Sequence, residues 1–299
     1  MQSTGINRDT KDQFYTKPQV ANLCIDRWLE KISELSTSKS LLIEPSAGSG
    51  SFSDILQDKG FKVDCFDIDP KKEYITKKDF LTHDLSEYKK RTDVHCIGNP
   101  PFGRQSSLAK KFIKHCATVC DSISFILPKS FRKESFQKSF PLCFKLLHEI
   151  DLGENAFTIN GKPYHVPCVF QIWIKMDLER TVEPPPIPVG FKFVKRPGIR
   201  DTDENGNPIP RINEFSELPH FGILRAGGGD TCGRISLNYE NGIACYREAW
   251  LFIKLDEQYD KDEFYKQYQL IDWKDDSNVG ARSISKPTFI RKINKLLSG

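Results

Sequence analysis

The sequence predicts an α/β fold in which a mostly parallel sheet with an antiparallel last strand is followed by a small C-terminal α+β domain. Three observations lead to this prediction. Short apolar runs alternate with segments of helical length, a glycine-rich turn directly follows the run at 41–44, and a proline-rich stretch at 183–190 separates this region from a set of short β-like pieces. Apolar runs that alternate with helices are typical of βαβ units in a parallel sheet.

The first domain is predicted to open with a helix. Apolar residues recur at helical spacing from Pro18 to Glu34, and Pro18 suits the first turn. The apolar runs then become short and strand-like. The strand candidates lie at 41–44, 62–68, 94–99 and 122–128, and the segments of helical length lie at 51–59, 71–77 and 107–120.

Two more strand candidates, at 145–152 and 168–176, end the predicted sheet. The loop between them is too short for the crossover helix that parallel neighbours need. We therefore expect these two strands to pair antiparallel.

The composition changes at Glu183, where EPPPIPVG at 183–190 suits neither a helix nor a central strand. We expect a linker here, between a domain at 1–182 and a smaller one at 191–299. The second domain ends in a predicted helical tail from Pro287 to Leu297. Its β-like pieces are 191–194, 221–227, 233–237 and 249–255.

The composition points to a soluble intracellular protein. No signal peptide and no apolar run near the roughly 18 residues of a membrane helix is present, so we expect a cytoplasmic location, or a nuclear one in a eukaryotic or viral setting. The nine cysteines stand singly in apolar runs, which favours free thiols in a reducing compartment. Because the nearest pair, Cys116 and Cys120, lacks the spacing of zinc ligands, we expect no metal site.

The net charge of +4 does not by itself identify a nucleic-acid binder. Cations cluster locally, and a solvated helix face is the plain interpretation of such a cluster. One of them includes Lys129, which we retain as a candidate contact to nucleic acid. Its members are Lys110, Lys111, Lys114, Lys129, Arg132 and Lys133.

The segment EPSAGSGSF at 44–52 joins a predicted strand to a predicted helix through Gly48 and Gly50. Such a turn lets the backbone approach a nucleotide-like cofactor where a Cβ would collide. An acidic residue, Asp67, follows at the end of the next strand, where it can accept hydrogen bonds from ribose hydroxyls. The glycine turn alone is also compatible with a dinucleotide site or a plain connection, although it lacks the third glycine of the dinucleotide fingerprint and the Lys-Ser/Thr of a phosphate loop.

The most informative motif is Asn99-Pro100-Pro101-Phe102, placed directly after the strand candidate VHCIG. The N6 amine of adenine is a poor nucleophile because its lone pair is delocalised into the ring. The side-chain oxygen of Asn99 and the carbonyl of Pro100 can accept hydrogen bonds from its two N–H groups. Phe102 can stack on a base that has left its helix. A Pro-Pro turn followed by a core Phe explains each residue separately but not the set.

Together these motifs resemble the class I S-adenosylmethionine-dependent adenine-N6 amino-methyltransferases, in the order of the gamma type, over residues 12 to about 177. The resemblance implies a Rossmann-like methyltransferase sheet, S-adenosylmethionine as cofactor, and Asn99, Pro100, Pro101 and Phe102 as the catalytic motif. The implied cofactor-binding residues are Tyr15, Thr16, Pro18, Glu44, Pro45, Ser46, Ala47, Gly48, Gly50, Phe52, Asp67, Ile68, Asp79, Phe80 and Asn99. Phe157 and Tyr164, in a loop resembling the motif that packs on the flipped base, join Phe102 as stacking candidates.

The C-terminal region resembles that of small stand-alone bacterial and viral methyltransferases, and we expect it to engage substrate. Arg225, Arg234 and Arg247 are the candidate phosphate contacts, beside a flexible turn at 227–229. An ordinary solvated edge is the alternative.

Adenine in DNA is the favoured substrate, because the motif order and the appended C-terminal domain match DNA enzymes. RNA remains an alternative, since NPPF followed by Gly103 also occurs in enzymes that act on ribosomal RNA or an mRNA cap. An inactive binding subunit is disfavoured because both the glycine turn and the tetrapeptide are intact. Methylation of a release-factor glutamine is disfavoured by the C-terminal extension and by the FYT motif at 14–16, part of the segment DQFYTKP at 12–18 that resembles the N-terminal cofactor motif of the family.

Overall fold

A computed structural model describes residues 14–32, 40–159, 161–195, 201–202, 204–205, 208–209, 215, 217–227, 232–236, 250–273 and 282–299. The chain divides into two compact units, Met1–Val182 and Glu183–Gly299. Arg247, Gly228, Gly229 and parts of the predicted pieces 233–237 and 249–255 lie outside the described residues.

The N-terminal unit alternates strands and helices in chain order. It begins with β1 (Tyr15–Thr16), α1 (Pro18–Ile32), β2 (Leu41–Glu44), α2 (Ser53–Asp58), β3 (Lys62–Asp67), β4 (Thr76–Lys77) and β5 (Val94–Gly98). It continues with α3 (Ser107–Cys116), β6 (Ser122–Pro128), α4 (Glu134–Gln137), β7 (Phe144–Asp151), β8 (Phe157–Ile159), β9 (Lys162–Tyr164) and β10 (Cys168–Lys175).

Seven strands form the main sheet in the order β4-β3-β2-β5-β6-β10-β7. The pairs from β4 to β6 are parallel, whereas β10 is antiparallel to both β6 and β7. This is the Rossmann-like class I methyltransferase arrangement, so the fold class and the antiparallel pairing at the end of the sheet are confirmed. A separate three-stranded sheet, β1-β8-β9, was not predicted from the sequence.

Apolar side chains cover both faces of the main sheet because successive strand residues point to opposite sides. Leu42 and Ile97 pack with α1 on one face, whereas Ile43 and Cys96 pack with α3 on the other. Helix α1 buries Ala21, Cys24, Ile25, Trp28 and Ile32, which fall on one helical stripe. The unit therefore has three layers, and the carboxyl ends of the parallel strands share one edge of the sheet.

The predicted helical segment at 71–77 is wrong. It forms turns and then β4, because its backbone is bonded to neighbouring elements: the Lys71 N–H donates to the Gly48 carbonyl at 3.0 Å, and β4 pairs with the end of β3. Ile75 is its one buried side chain, so a helix there would have no apolar face to bury.

The C-terminal unit contains a four-stranded antiparallel sheet with the order β11-β17-β14-β16. Two helices pack their apolar side chains into its core, among them Phe264, Phe289 and Ile293. Residues 183–190 form no helix or strand. The elements of the unit are β11 (Phe191–Val194), β12 (Asp201–Thr202), β13 (Pro208–Ile209), β14 (Phe221–Leu224), β15 (Ala226–Gly227), β16 (Ile235–Ser236), β17 (Trp250–Leu255), α5 (Lys261–Tyr268), β18 (Arg282–Ser283) and α6 (Lys286–Leu297).

Both C-terminal helices begin at a side-chain cap. Asp260 accepts a hydrogen bond from the Glu263 N–H at 2.8 Å, and Ser285 accepts one from Thr288 at 3.2 Å. Helix α6 matches the predicted tail, whereas α5 was not predicted from the sequence.

The connection from β5 to α3 depends on Gly103, and its replacement tests how tightly this loop is built. Gly103 has φ of +68°, and a Cβ there would lie 3.0 Å from the Leu108 nitrogen. We expect Gly103→Ala to lower the free energy of unfolding by about 2 kcal/mol or more, because backbone strain adds to a steric clash. The melting temperature and denaturant midpoint measure this change.

Two other glycines separate the strain from the clash. Gly60 also has positive φ, +85°, but no atom lies within 4 Å of its Cβ position. Gly60→Ala should cost about 1 kcal/mol from backbone strain alone, and Gly153→Ala, which has neither feature, should be close to neutral. Equal losses for the Gly103 and Gly60 variants would show that the loop relaxes around the new methyl group.

Candidate active site

A cavity of about 260 Å³ opens where β2, β3 and β5 end in the N-terminal unit. Many residues singled out from the sequence line it, from segments far apart in the chain. The predicted residues on its walls are Tyr15, Thr16, Glu44, Pro45, Ser46, Ala47, Gly48, Phe52, Asp67, Ile68, Asp79, Phe80, Asn99, Pro100 and Pro101.

The glycine turn forms one wall of the cavity and is bonded to the end of β3. The Ala47 N–H donates to the Phe66 carbonyl at 2.8 Å, and the Gly48 N–H donates to Asp67 Oδ2 at 2.7 Å. Gly48 has φ of +51°, and a Cβ there would lie 3.3 Å from the ring of Tyr15. Glycine is required because of this backbone conformation and this close approach.

The carboxylate of Asp67 has a structural role that was not predicted from the sequence. Its Oδ2 accepts from Gly48 as above, and its Oδ1 accepts from the Asp69 N–H at 2.8 Å. Each carboxylate oxygen has a second lone pair. Asp67 can therefore hold the turn and still accept hydrogen bonds from a ligand in the cavity.

Glu44 is a buried carboxyl group on the wall of the cavity. Its side chain accepts a hydrogen bond from the Ser53 N–H at 2.9 Å, and 2% of the residue is exposed. Burial raises its pKa to about 8, since the charged form loses its hydration, and the bonds from Ser53 offset only part of this effect.

Asn99 presents a hydrogen-bond acceptor that no group of the described residues uses. Its Nδ2 donates to the Phe14 carbonyl at 3.2 Å and to Thr16 Oγ1 at 3.1 Å, and its main-chain carbonyl accepts from Ser46 Oγ at 3.1 Å. Its Oδ1 is buried and has no hydrogen-bond partner among the described residues. A buried acceptor of this kind is unfavourable unless a ligand satisfies it.

The predicted stacking residues lie behind the cavity rather than on its wall. Phe102 is 8% exposed and Phe157 is fully buried, and both belong to the core beside α1. Within this aromatic group the ring on the cavity wall is that of Phe14, whose centroid lies 6.0 Å from that of Phe102 and 5.5 Å from that of Tyr164. Phe14 was not predicted as a site residue, although it directly precedes Tyr15 in the FYT motif at 14–16.

The other end of the cavity is aromatic. Phe80 stacks on Phe112 with ring centroids 6.1 Å apart and an interplanar angle of 10°. Asp79 begins the short turn that carries Phe80 and accepts from the Leu81 N–H at 3.0 Å. Phe112 was also missed; helical spacing along α3 was its only sequence signal. The remaining lining residues outside the prediction are Ser49, Ser51, Asp69, Lys78, Leu81 and Leu108.

Four predicted residues lie elsewhere. Pro18 is the first residue of α1. Gly50 lies beside Tyr74 instead, because a Cβ at Gly50 would collide with the hydroxyl of Tyr74. Lys129 pairs with Asp151 at 2.7 Å, so its charge is already balanced. Arg225 belongs to the C-terminal unit, where its buried Nε has no partner among the described residues.

Over the described residues, no group of three or more His, Cys, Asp and Glu side chains is arranged to hold a metal ion. Within the same residues, no helix combines the length and apolar character needed to span a membrane.

No protein-family model matches the sequence, and no curated protein is significantly similar to it. Solved structures with a similar fold include a candidate RNA methyltransferase from Pyrococcus horikoshii, with 19% identity and a TM-score of 0.41 over 56% of this chain and 88% of the other. A candidate class I S-adenosylmethionine-dependent methyltransferase from Listeria monocytogenes has 15% identity and a TM-score of 0.42, over 61% of this chain and 65% of its own. The chain thus covers less than two thirds of the Listeria protein.

Magnesium protoporphyrin IX methyltransferase from Synechocystis, solved with bound S-adenosylmethionine, has 15% identity and a TM-score of 0.37 over 53% of this chain and 79% of the other. Similarity at these levels concerns the fold alone.

Replacing Glu44 by Gln should flatten the pH dependence of unfolding. The pKa of Glu44 is about 8 in the folded protein against an ordinary value of 4.5, so the folded state holds a proton that the unfolded state releases. The contribution of Glu44 to stability is therefore fully present below about pH 4.5 and is lost as the pH rises to about 8. Melting temperatures of the cofactor-free protein should fall with pH more steeply for the wild type than for Glu44→Gln.

The matched control is Glu73→Gln, which removes an exposed carboxyl group a short way along the chain. Its melting curve should follow that of the wild type. Parallel curves for the wild type and Glu44→Gln would mean that Glu44 ionises normally in the folded protein.

Proposed function

We propose that this protein transfers a methyl group from S-adenosylmethionine to the N6 amine of adenine in nucleic acid, with DNA as the favoured substrate. The proposal depends on Asn99, which lines the same cavity as the glycine turn and whose buried Oδ1 has no hydrogen-bond partner in the part of the chain that the structure describes.

The residues around the cavity suit the proposed cofactor. Gly48 leaves the turn open to a ligand, Asp67 can accept from ribose hydroxyls, and Phe80 and Phe112 offer apolar surface for an adenine ring. Asp79 can accept from the exocyclic amine of that ring, since it lines the cavity. When bound, S-adenosylmethionine supplies an electrophilic methyl group on a sulfonium centre.

The Asn99 amide is oriented to accept a hydrogen bond from an amine. Because its Nδ2 donates to the Phe14 carbonyl and to Thr16 Oγ1, its Oδ1 is the atom that can accept a hydrogen bond from a substrate N–H group. The main-chain carbonyl of Pro100, which the two prolines hold in a fixed direction, can accept a hydrogen bond from the second N–H group of the amine. As these bonds draw the hydrogens out of the ring plane, the N6 lone pair becomes available to the methyl carbon. The N–C bond would form as the methyl–sulfur bond breaks, the sulfur would leave as a neutral thioether, and one N6 proton would be lost to water.

The aromatic group around Phe14 supports capture of a planar base. The ring of Phe14 lies on the cavity wall, where Phe102 packs against it from the core and the half-buried Tyr164 stacks on it. A target adenine must leave its helix, or be single-stranded, to reach Asn99, and stacking on an aromatic side chain offsets the lost base stacking.

DNA is favoured because of the motif order and because the chain continues into a C-terminal unit. In the sequences of DNA enzymes of the similar family, a target-recognition domain follows at this position. RNA is the second candidate because Gly103 follows the tetrapeptide. An inactive binding role is not favoured, since the Asn99 acceptor and the glycine turn are both in place.

One assay separates these substrates. The protein is incubated with labelled S-adenosylmethionine and separate pools of duplex DNA, single-stranded DNA and RNA, and the modified nucleoside is identified by mass spectrometry. N6-methyldeoxyadenosine is the expected product, N6-methyladenosine would assign RNA, and label on protein alone would refute the proposal.

Replacing Asn99 by Ala should abolish most turnover without weakening cofactor binding. The lost acceptor matters most as the amine changes geometry, so kcat should fall on the order of a hundredfold or more. Asn22→Ala, which changes an exposed Asn on α1, is the control and should retain full activity. Loss of cofactor affinity equal to the loss of turnover would instead assign Asn99 to cofactor binding.

Replacing Asp67 by Ala should weaken binding of S-adenosylmethionine roughly ten- to hundredfold, because it removes the ribose acceptor and loosens the turn at Gly48. Titration calorimetry measures the affinity, and Asp69→Ala serves as the control on the same wall, since the Asp69 carboxylate pairs with exposed Lys71 at 2.6 Å. A larger loss for the Asp69 variant would transfer the ribose contact to that residue.

A further inference from the structure

The orientation of the Asn99 side chain is set by a segment far away in sequence. Both of its Nδ2 contacts go to β1 and the residue before it: Thr16 Oγ1 lies 3.1 Å away and the Phe14 carbonyl 3.2 Å away. Thr16 itself is 7% exposed, so water does not readily replace its hydroxyl.

This contact matters because an amide side chain can turn over. The oxygen and nitrogen of an Asn side chain have nearly the same size, and rotation by about 180° exchanges a donor for an acceptor. A rotated Asn99 would present N–H groups to the substrate amine, which itself donates. Only the arrangement with Nδ2 bonded to β1 leaves Oδ1 free as an acceptor.

Strand β1 is held firmly enough to impose this choice. It pairs with β8 through Tyr15 with Thr158 and Thr16 with Phe157. The Thr16 carbonyl accepts from Ser51 Oγ at 2.8 Å. The hydroxyl of Thr16 is thus fixed relative to both the glycine turn and the β8–β9 hairpin.

We propose that Thr16 is a positioning residue, whose hydroxyl acts through Asn99 by keeping the amide oxygen directed at the substrate amine. This inference rests on the proposed role of Asn99 as the acceptor. It assigns the Thr16 hydroxyl to orientation of the amide rather than to affinity for the cofactor, which the family resemblance suggests.

The test compares Thr16→Val with Thr16→Ser in the full-length protein. Val keeps the shape but removes the acceptor, so kcat should fall roughly tenfold, as expected for loss of one neutral hydrogen bond while that from Phe14 remains. The Kd for S-adenosylmethionine should stay within about twofold of the wild type. Ser restores a hydroxyl and should recover most of the turnover.

Thr158→Val is the matched control, since it makes the same change on the neighbouring strand of the same small sheet. It should leave kcat unchanged. A loss of kcat in this control as large as that in Thr16→Val would attribute the effect to the sheet as a whole and overturn the proposal.

A second measurement does not depend on activity. NMR of protein labelled at Asn side chains reports the hydrogen exchange of the Asn99 Nδ2 protons, which should be slow in the wild type and Thr16→Ser and faster in Thr16→Val. Faster exchange without any methyl transfer by the wild type would uphold the positioning contact and refute the proposed function. Unchanged exchange, or a weakened Kd for cofactor with normal kcat, would overturn the positioning role itself.

Discussion

The site depends on the parallel register of three neighbouring strands. Leu41 of β2 lies beside Lys62 of β3 and Val94 of β5, so the three strands are aligned and their carboxyl ends lie close to one another. Residues at equal distances beyond the paired positions then meet: Ile43 is opposite Cys96, and three residues further along each strand Ser46 Oγ donates to the Asn99 carbonyl. Hydrogen bonds between the connections that follow these strands stabilise the site further. They depend on the strand register and could not form if one strand were shifted by one residue.

Sequence patterns predicted those parts of the fold that are determined locally. The strands at 41–44 and 122–128 have the predicted bounds, because continuous apolar runs bounded by turns leave few alternatives. The helix at 71–77 failed for the opposite reason, since the conformation of that segment follows from backbone bonds to the glycine turn and β3. Sheet β1-β8-β9 brings together segments about 140 residues apart. Strand β1 has only two residues, too few for a local sequence pattern to predict this sheet.

The candidate site shows the same division. The residue types of the glycine turn, Asp67 and the Asn-Pro-Pro-Phe motif carry their chemistry in the sequence, and the structure brings them around one cavity. The aromatic residues do not, because Phe is equally suited to a core and to a binding wall. Phe14 and Phe112 reach the cavity, whereas Phe102 and Phe157 support it from the apolar interior, and only tertiary packing distinguishes the two pairs.

The reversed strand β10 places a long connection at the edge of the sheet where the cavity opens. Since β7 runs with the parallel strands and β10 runs against them, the connection at 152–167 begins and ends at the edge where the cavity opens. A hairpin there can lengthen, shorten or change its side chains without disturbing any strand of the main sheet. Changes confined to the β9 side of this hairpin, which does not pair with β1, would therefore leave the glycine turn and Asn99 in place.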